Sequence, residues 1–232
     1  MKPLSHGAVF VSGSNCGKTA LVLDADRTLA PVDTGRQVGS LLGLNARIRA
    51  MFENTGYTTE AFARHAEIWS AVPTQTYLEA VEEIARHVRV YEAWLRVLAG
   101  APGVPTVVVT AGIPQLWRRV LERYGFPNVP VLGGLHAALD SGYVTPQCKA
   151  WVVRTLQRSG HLVVAAGDSE IDLEMLIAAD LSLFVADGKG SPRLFARLPE
   201  VVGVHHFITD SRRFPPLPSI SSGELVERLH KS

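Results

Sequence analysis

Thiols are nearly absent: Cys16 and Cys148 are the two cysteines of a 232-residue chain. Two are too few for a disulfide framework and have no metal-ligand spacing, so a reduced, cytoplasmic setting is the expectation. An excess of one charge sign is lacking as well. The 23 Lys and Arg nearly cancel the 22 Asp and Glu, which gives no reason to expect a nucleic-acid tract or an acidic tail. No apolar run approaches the roughly 18 residues that a membrane span needs. The opening Met1-Lys-Pro-Leu-Ser-His-Gly7 carries no apolar stretch with a small-residue cleavage site. No internal repeat is visible. These absences leave a water-soluble monomer or homodimer, with no nucleic-acid or membrane partner, long enough to bury a full core.

What is present is a series of short apolar runs, at 8–12, 20–24, 104–110, 129–132, 162–168 and 181–186. Several hold no polar residue, such as Val107-Val-Val109 and Val163-Val-Ala-Ala166, as expected of strands buried on both faces of a parallel sheet. Helical patterns separate them, over 114–124, from Thr145-Pro146 to about 159, and over 171–179. The alternation predicts a doubly wound α/β fold with a mainly parallel sheet. Residues 35–98 break the rhythm. Phe62, Ala66, Trp69 and Val72 fall one turn apart, as do Leu78, Val81, Ala85 and Val88, and Thr76-Tyr-Leu-Glu79 has capping-box spacing. This segment reads as an inserted helical bundle of about four helices, leaving 1–34 and 99–232 as the core domain. The proline-rich stretch 209–222 reads as a loop before a last helix over 223–230.

Two stretches compete for a phosphate. Gly13-Ser-Asn-Cys-Gly-Lys-Thr19 approximates the P-loop of nucleotide-binding proteins. That motif needs four residues between its glycines and a helix opening behind it; here three residues intervene and the strand-like Ala20-Leu-Val-Leu-Asp24 follows at once. A polar turn between two strands is the better reading. The second stretch, Asp24-Ala-Asp26-Arg-Thr28, ends a buried-type strand, where open α/β sheets place ligand sites. Further polar groups follow in order. Thr110 closes a second buried strand, with Ala111 and Gly112 permitting close backbone approach; Lys149 opens a helix; Gly167-Asp168 closes a third strand, with Asp172 four residues on. Carboxylates and hydroxyls at several strand ends make a reaction site, one aspartate acting as nucleophile and the other as acid.

This ordered set resembles the haloacid dehalogenase-like hydrolase superfamily, whose Rossmann-like core it implies, and the helical insert is similar to the cap of its phosphoserine phosphatase branch. The resemblance implies Mg2+-dependent hydrolysis of a small phosphomonoester, such as a phosphorylated amino acid or biosynthetic intermediate. Asp24 is then the nucleophile and Asp26 the acid and base, while Lys149 and Thr110 take up phosphoryl charge and Thr28 steadies the loop. Asp24, the Asp26 carbonyl and Asp168 hold the metal, with Asp172 orienting Lys149 or a metal-bound water. For the substrate, Asp33 lies nine positions after Asp24, where the branch binds an amine. The cap position for a carboxylate falls on His65, with Arg64 adjacent but about 100° round the helix. Ala111 and Gly112 lie beside the phosphate. Ile171 replaces the branch's usual asparagine. A phosphomutase of the same fold and a P-loop nucleotide-binding protein are the rival readings. His205-His206 reads as structural.

Overall fold

The computed structural model describes residues 1–4, 19–186, 192–201, 203–209 and 217–230. Strand β1 (Lys2–Pro3) opens the chain, and β2 (Thr19–Leu23) begins the main sheet. Five helices follow: α1 (Thr34–Leu41), α2 (Asn45–Thr55), α3 (Thr59–Ser70), α4 (Thr74–Ala85) and α5 (Glu92–Gly100). Then come β3 (Thr106–Val109), α6 (Pro114–Arg123), β4 (Val131–Leu132), β5 (Gly142–Tyr143), α7 (Pro146–Arg158) and β6 (Leu162–Gly167). A single 3-10 turn leads into α8 (Leu173–Ala178), followed by β7 (Leu181–Phe184), α9 (Pro192–Arg197), β8 (His205–Phe207), β9 (Ser219–Ile220) and α10 (Ser222–His230).

Seven strands form one parallel sheet in the order β4-β3-β2-β6-β7-β8-β9. β1 and β5 make a separate two-residue parallel ladder. The apolar runs explain the sheet. In β2, Leu21 and Leu23 point into one core with Val108, Trp94, Leu116 and Leu225, while Ala20 and Val22 point into the other with Val107, Val152 and Leu176. Successive side chains of a strand face opposite sides, so a sheet covered by helices on both faces needs apolar residues at every position. Each of the larger β2 side chains is removed from water, a contribution of about 1.5–3 kcal/mol apiece.

The helices start where the sequence provides caps. Asp33 accepts from the Arg36 amide before α1, Thr58 from the Ala61 amide before α3, and Thr145 from the Cys148 amide before α7. Helix α6 buries Leu116, Trp117, Val120 and Leu121 and leaves Arg118 and Arg119 outside. α5 lies against the sheet: Trp94 stacks on Phe207 with centroids 4.1 Å apart.

Three local expectations change. The capping box at Thr76 is not used: α4 starts at Thr74, two residues earlier, with Pro73 at its N-cap and φ fixed at −54°. The loop expected over 209–222 contains β9, whose Ile220 is buried beside Phe207 and which is two residues long, too short to show a period. The strand expected at 8–12 and residues 13–18 of the P-loop-like stretch lie outside the described residues. Thr19 already belongs to β2, so a strand stands where a P-loop would open a helix. Among the described residues no helix is long and apolar enough to cross a membrane.

Candidate active site

Strand order reverses at β2, with β3 and β4 to one side and β6 to β9 to the other. Open parallel sheets leave a crevice at such a point, outside the carboxyl ends of the strands. Asp24 leaves β2 there, Thr110 leaves β3 and Asp168 leaves β6. Because Leu23 pairs with Val108 and Ala166 in register, the three polar residues must converge. They line one cleft of about 380 Å³, together with Asp26, Asp33, Lys149, Ala111, Gly112 and His65.

Lys149 is the hinge of the charged floor. It sits in the first turn of α7, 1% exposed, and its ammonium donates to Asp24 Oδ1 and, at 2.6 Å, to Asp172 Oδ1. The Thr28 hydroxyl donates to Asp24 Oδ2 at 3.1 Å, and the Trp94 indole fixes the Thr28 carbonyl at 2.7 Å. Asp172 Oδ2 accepts from the amides of Asp168 and Ser169 at 3.2 and 3.0 Å and from the Ser169 hydroxyl at 2.7 Å. Thr28 and Asp172 therefore stand behind the cleft wall and hold Asp24 and Lys149 in place. Gly167 makes room for this: a Cβ there would sit 2.4 Å from the Asp172 Cβ.

The electrostatics follow from packing. Burial, then Asp172, pushes the Asp24 carboxyl up to about 6 in spite of Lys149. Burial, with Asp172 and Asp24 adding to it, lifts Asp168 well above the ordinary carboxylate range. For Lys149, burial works against the charge, but Asp172 and Asp24 outweigh it and raise its pKa. Asp24, Asp168 and Asp172 each bring a carboxylate oxygen to within 4.8 Å of the others, all buried. One lysine cannot neutralise three such groups. Hard oxygen donors in excess negative charge suit a divalent cation of the Mg2+ type, and the donor set fits one. Asp24 and Asp168 face the cleft, whereas both oxygens of Asp172 are already hydrogen-bonded.

Asp26 lies on the other side of the cleft. Its Oδ1 accepts from the Thr34 amide at 2.6 Å, and its Oδ2 comes so close to Gly112 that a Cβ there would lie 2.7 Å away. A side chain at that point would displace the Asp26 carboxylate. Burial first, and Asp33 second, push the Asp26 carboxyl up to about 7. Thr110 caps its own loop, its hydroxyl accepting from the Gly112 amide at 2.9 Å.

The substrate end differs from expectation. Asp33 reaches the cleft, but its Oδ2 accepts from the Arg27 guanidinium at 3.1 Å and its Oδ1 caps α1. Arg64 is not brought to the cleft; it pairs with Glu60 at 2.6 Å one turn away, on an exposed face. His65 does line the cleft. Its Nε2 accepts from the Trp69 indole at 2.8 Å, and burial lowers its pKa to about 4. Sequence reasoning missed Arg27, which holds φ at 59°, a backbone conformation rare outside glycine, and whose guanidinium pairs with Asp33. It also missed the cleft-lining Phe52, Tyr57 and Trp69, with Phe62. Phe62 and Trp69 had appeared as a helical stripe, and periodicity does not tell a core face from a cleft face.

The sequence profile of the haloacid dehalogenase-like hydrolases matches residues 21–176, from β2 into α8. The chain belongs to the haloacid dehalogenase-like hydrolase family. Similar solved structures include a HAD family hydrolase from Salmonella enterica serovar Typhi, at 16% identity and a TM-score of 0.61, covering 81% of this chain and 68% of that one. An apo phosphoserine phosphatase matches at 14% identity and a TM-score of 0.59, covering 81% and 92%. A phosphoserine phosphatase from T. onnurineus matches at 15% identity and 0.57, covering 96% and 98%. At these identities the likeness concerns the fold. No curated protein matches the sequence. In this HAD-like chain the carboxylate cluster sits where the matched span begins and ends.

Proposed function

We propose that the protein is a Mg2+-dependent phosphatase that hydrolyses a small phosphomonoester through an aspartyl-phosphate on Asp24. The observation that carries this reading is the Asp24 carboxylate, buried at a sheet switch point and held by Thr28 and Lys149 beside Asp168. Asp24 attacks phosphorus; the bond from phosphorus to the substrate oxygen breaks, and Asp26 gives its proton to the leaving alkoxide. A water then attacks phosphorus, Asp26 takes its proton, the Asp24–phosphorus bond breaks and inorganic phosphate leaves. Asp26 suits both duties because its carboxyl exchanges its proton near neutrality.

Lys149 and the Thr110 loop stabilise charge on the equatorial oxygens. Asp24, Asp168 and the Asp26 carbonyl would hold Mg2+, which would supply the positive charge that lets a phosphate dianion approach the carboxylates. In this reading residues 35–98 are the insert, with α1–α4 as a cap over the site and α5 returning the chain to the sheet, and the rest is the core. That His65, Phe52 and Trp69 line the same cleft as the carboxylates supports that division.

The test is turnover of p-nitrophenyl phosphate with Mg2+ and with excess EDTA, in wild type and Asp24→Asn. Chelation should abolish turnover and Asp24→Asn should lower it by at least about 10⁴-fold, the scale seen when a nucleophile is removed. Metal-independent turnover, or turnover retained in the variant, overturns the reading.

A further inference from the structure

Building on the phosphatase reading, we propose that the leaving group is an aromatic alcohol rather than an amino acid. The geometry points to this from two sides. The first is what the cleft cannot grip. An amino-acid phosphate needs a free carboxylate for its ammonium and a free cation for its carboxylate. Asp33 is the acid at the substrate end, and both its oxygens are engaged, one by Arg27 and one by the α1 cap. Arg64 points away and is paired with Glu60. Arg36 and Arg49 also line the cleft as exposed cations that draw a dianion in, so what the cleft lacks is the free carboxylate for an ammonium.

The second side is what the roof offers. Helices α2 and α3 present a continuous aromatic surface. Phe52 meets Tyr57, Phe62 and His65 with centroids 5.4, 5.7 and 5.1 Å apart, and His65 meets Trp69 at 6.1 Å. These separations are those of edge and offset ring contacts, and all five rings line the cleft that holds Asp24. A cleft of about 380 Å³ has space beyond a phosphate for one ring system. His65 adds no open polar group to this surface. Since its Nε2 accepts from Trp69, the neutral imidazole carries its proton on Nδ1, and Nδ1 is buried with no hydrogen-bond partner among the described residues.

The experiment compares benzyl phosphate, O-phospho-L-serine and acetyl phosphate as substrates of the full chain with Mg2+. Benzyl alcohol and serine are alkoxide leaving groups of similar basicity, so their ratio reads binding of the side group. The expected kcat/KM for benzyl phosphate is at least about tenfold above that for phosphoserine, the scale set by pocket complementarity. Phe62→Ala and, as a surface-proximal variant that spares the core, Tyr57→Ala should each shrink that ratio. Equal or better use of phosphoserine, with acetyl phosphate still turned over through Asp24, overturns the aromatic proposal and leaves the phosphatase reading standing. If no phosphate is turned over, the phosphatase reading fails and the aromatic proposal falls with it. Where turnover occurs, calorimetry with the Asp24→Asn variant gives a second check: tighter binding of benzylphosphonate than of 2-amino-3-phosphonopropionate upholds the proposal, and equal binding overturns it.

Discussion

The floor and the roof of the cleft hold their side chains by different means. On the floor, the oxygens of Asp24 and Asp172 take donors from Lys149, Thr28, Ser169 and two backbone amides. On the roof, rings touch rings at 5.1–6.1 Å, and a buried imidazole nitrogen has no partner among the described residues. The floor is thus set before any substrate arrives, which is what electrostatic stabilisation of a transition state requires. The roof is apolar and tolerant in geometry, and in the proposed reading it would choose the ester by shape and burial. In the proposed reading chemistry and specificity would sit on separate elements, strand ends for one and inserted helices for the other.

The sharpest way to break this contrast is to remove the hinge of the floor. Lys149→Met leaves Asp24 and Asp172 buried without their cation. Loss of about 10²–10³ in kcat is expected from the missing charge, with a fall in unfolding free energy of about 3–5 kcal/mol for a broken buried pair. Denaturant unfolding and phosphate release measure the two. A variant of normal stability and rate would show that the network does not organise the floor.

On the roof the test is pH. His65 is held neutral, its pKa lowered by burial from 6.5 to about 4. The unfolded chain binds a proton on this histidine below pH 6.5 and the folded chain does not, so its contribution is intact above that pH. It is lost progressively as pH falls toward 4. Allowing for partial exposure to the cleft, the loss is about 1–3 kcal/mol. Comparing wild type with His65→Asn by urea unfolding between pH 4 and 7 isolates it: the wild type should lose more stability over that window. Parallel pH curves would place His65 in a solvated setting and weaken the contrast.

The smallest effect belongs outside both regions. Arg64→Ala breaks an exposed pair one turn apart on α3, worth at most about 0.5 kcal/mol. Unfolding should move by no more than that, and kcat/KM should stay within about twofold, as for surface substitutions generally. A large rise in KM would mean that α3 turns to bring Arg64 into the cleft.

The same contrast explains what could be seen in the sequence. The floor was legible because a strand buried on both faces must be apolar throughout, so that Asp24, Thr110 and Asp168 stand out where the runs stop. Parallel order then brings those ends together. The roof was not legible. Phe62, Ala66 and Trp69 repeat at helical spacing whether they face a core or a cavity, and Ala66 does face packed neighbours. Asp33 looked free because its partner Arg27 depends on one residue at φ 59°, which no composition or spacing marks. Strands β8 and β9, three and two residues long, are too short for alternation to show, and contact with Leu183, Phe184 and their own neighbours defines them.

Peptide mapping of protein quenched in acid during turnover tests the central claim most directly. One phosphoryl group should be found on the peptide containing Asp24, released by hydroxylamine as an acyl phosphate is, and absent from Asp24→Asn. A phosphoryl group on any other residue, or none on Asp24 while turnover proceeds, would contradict it.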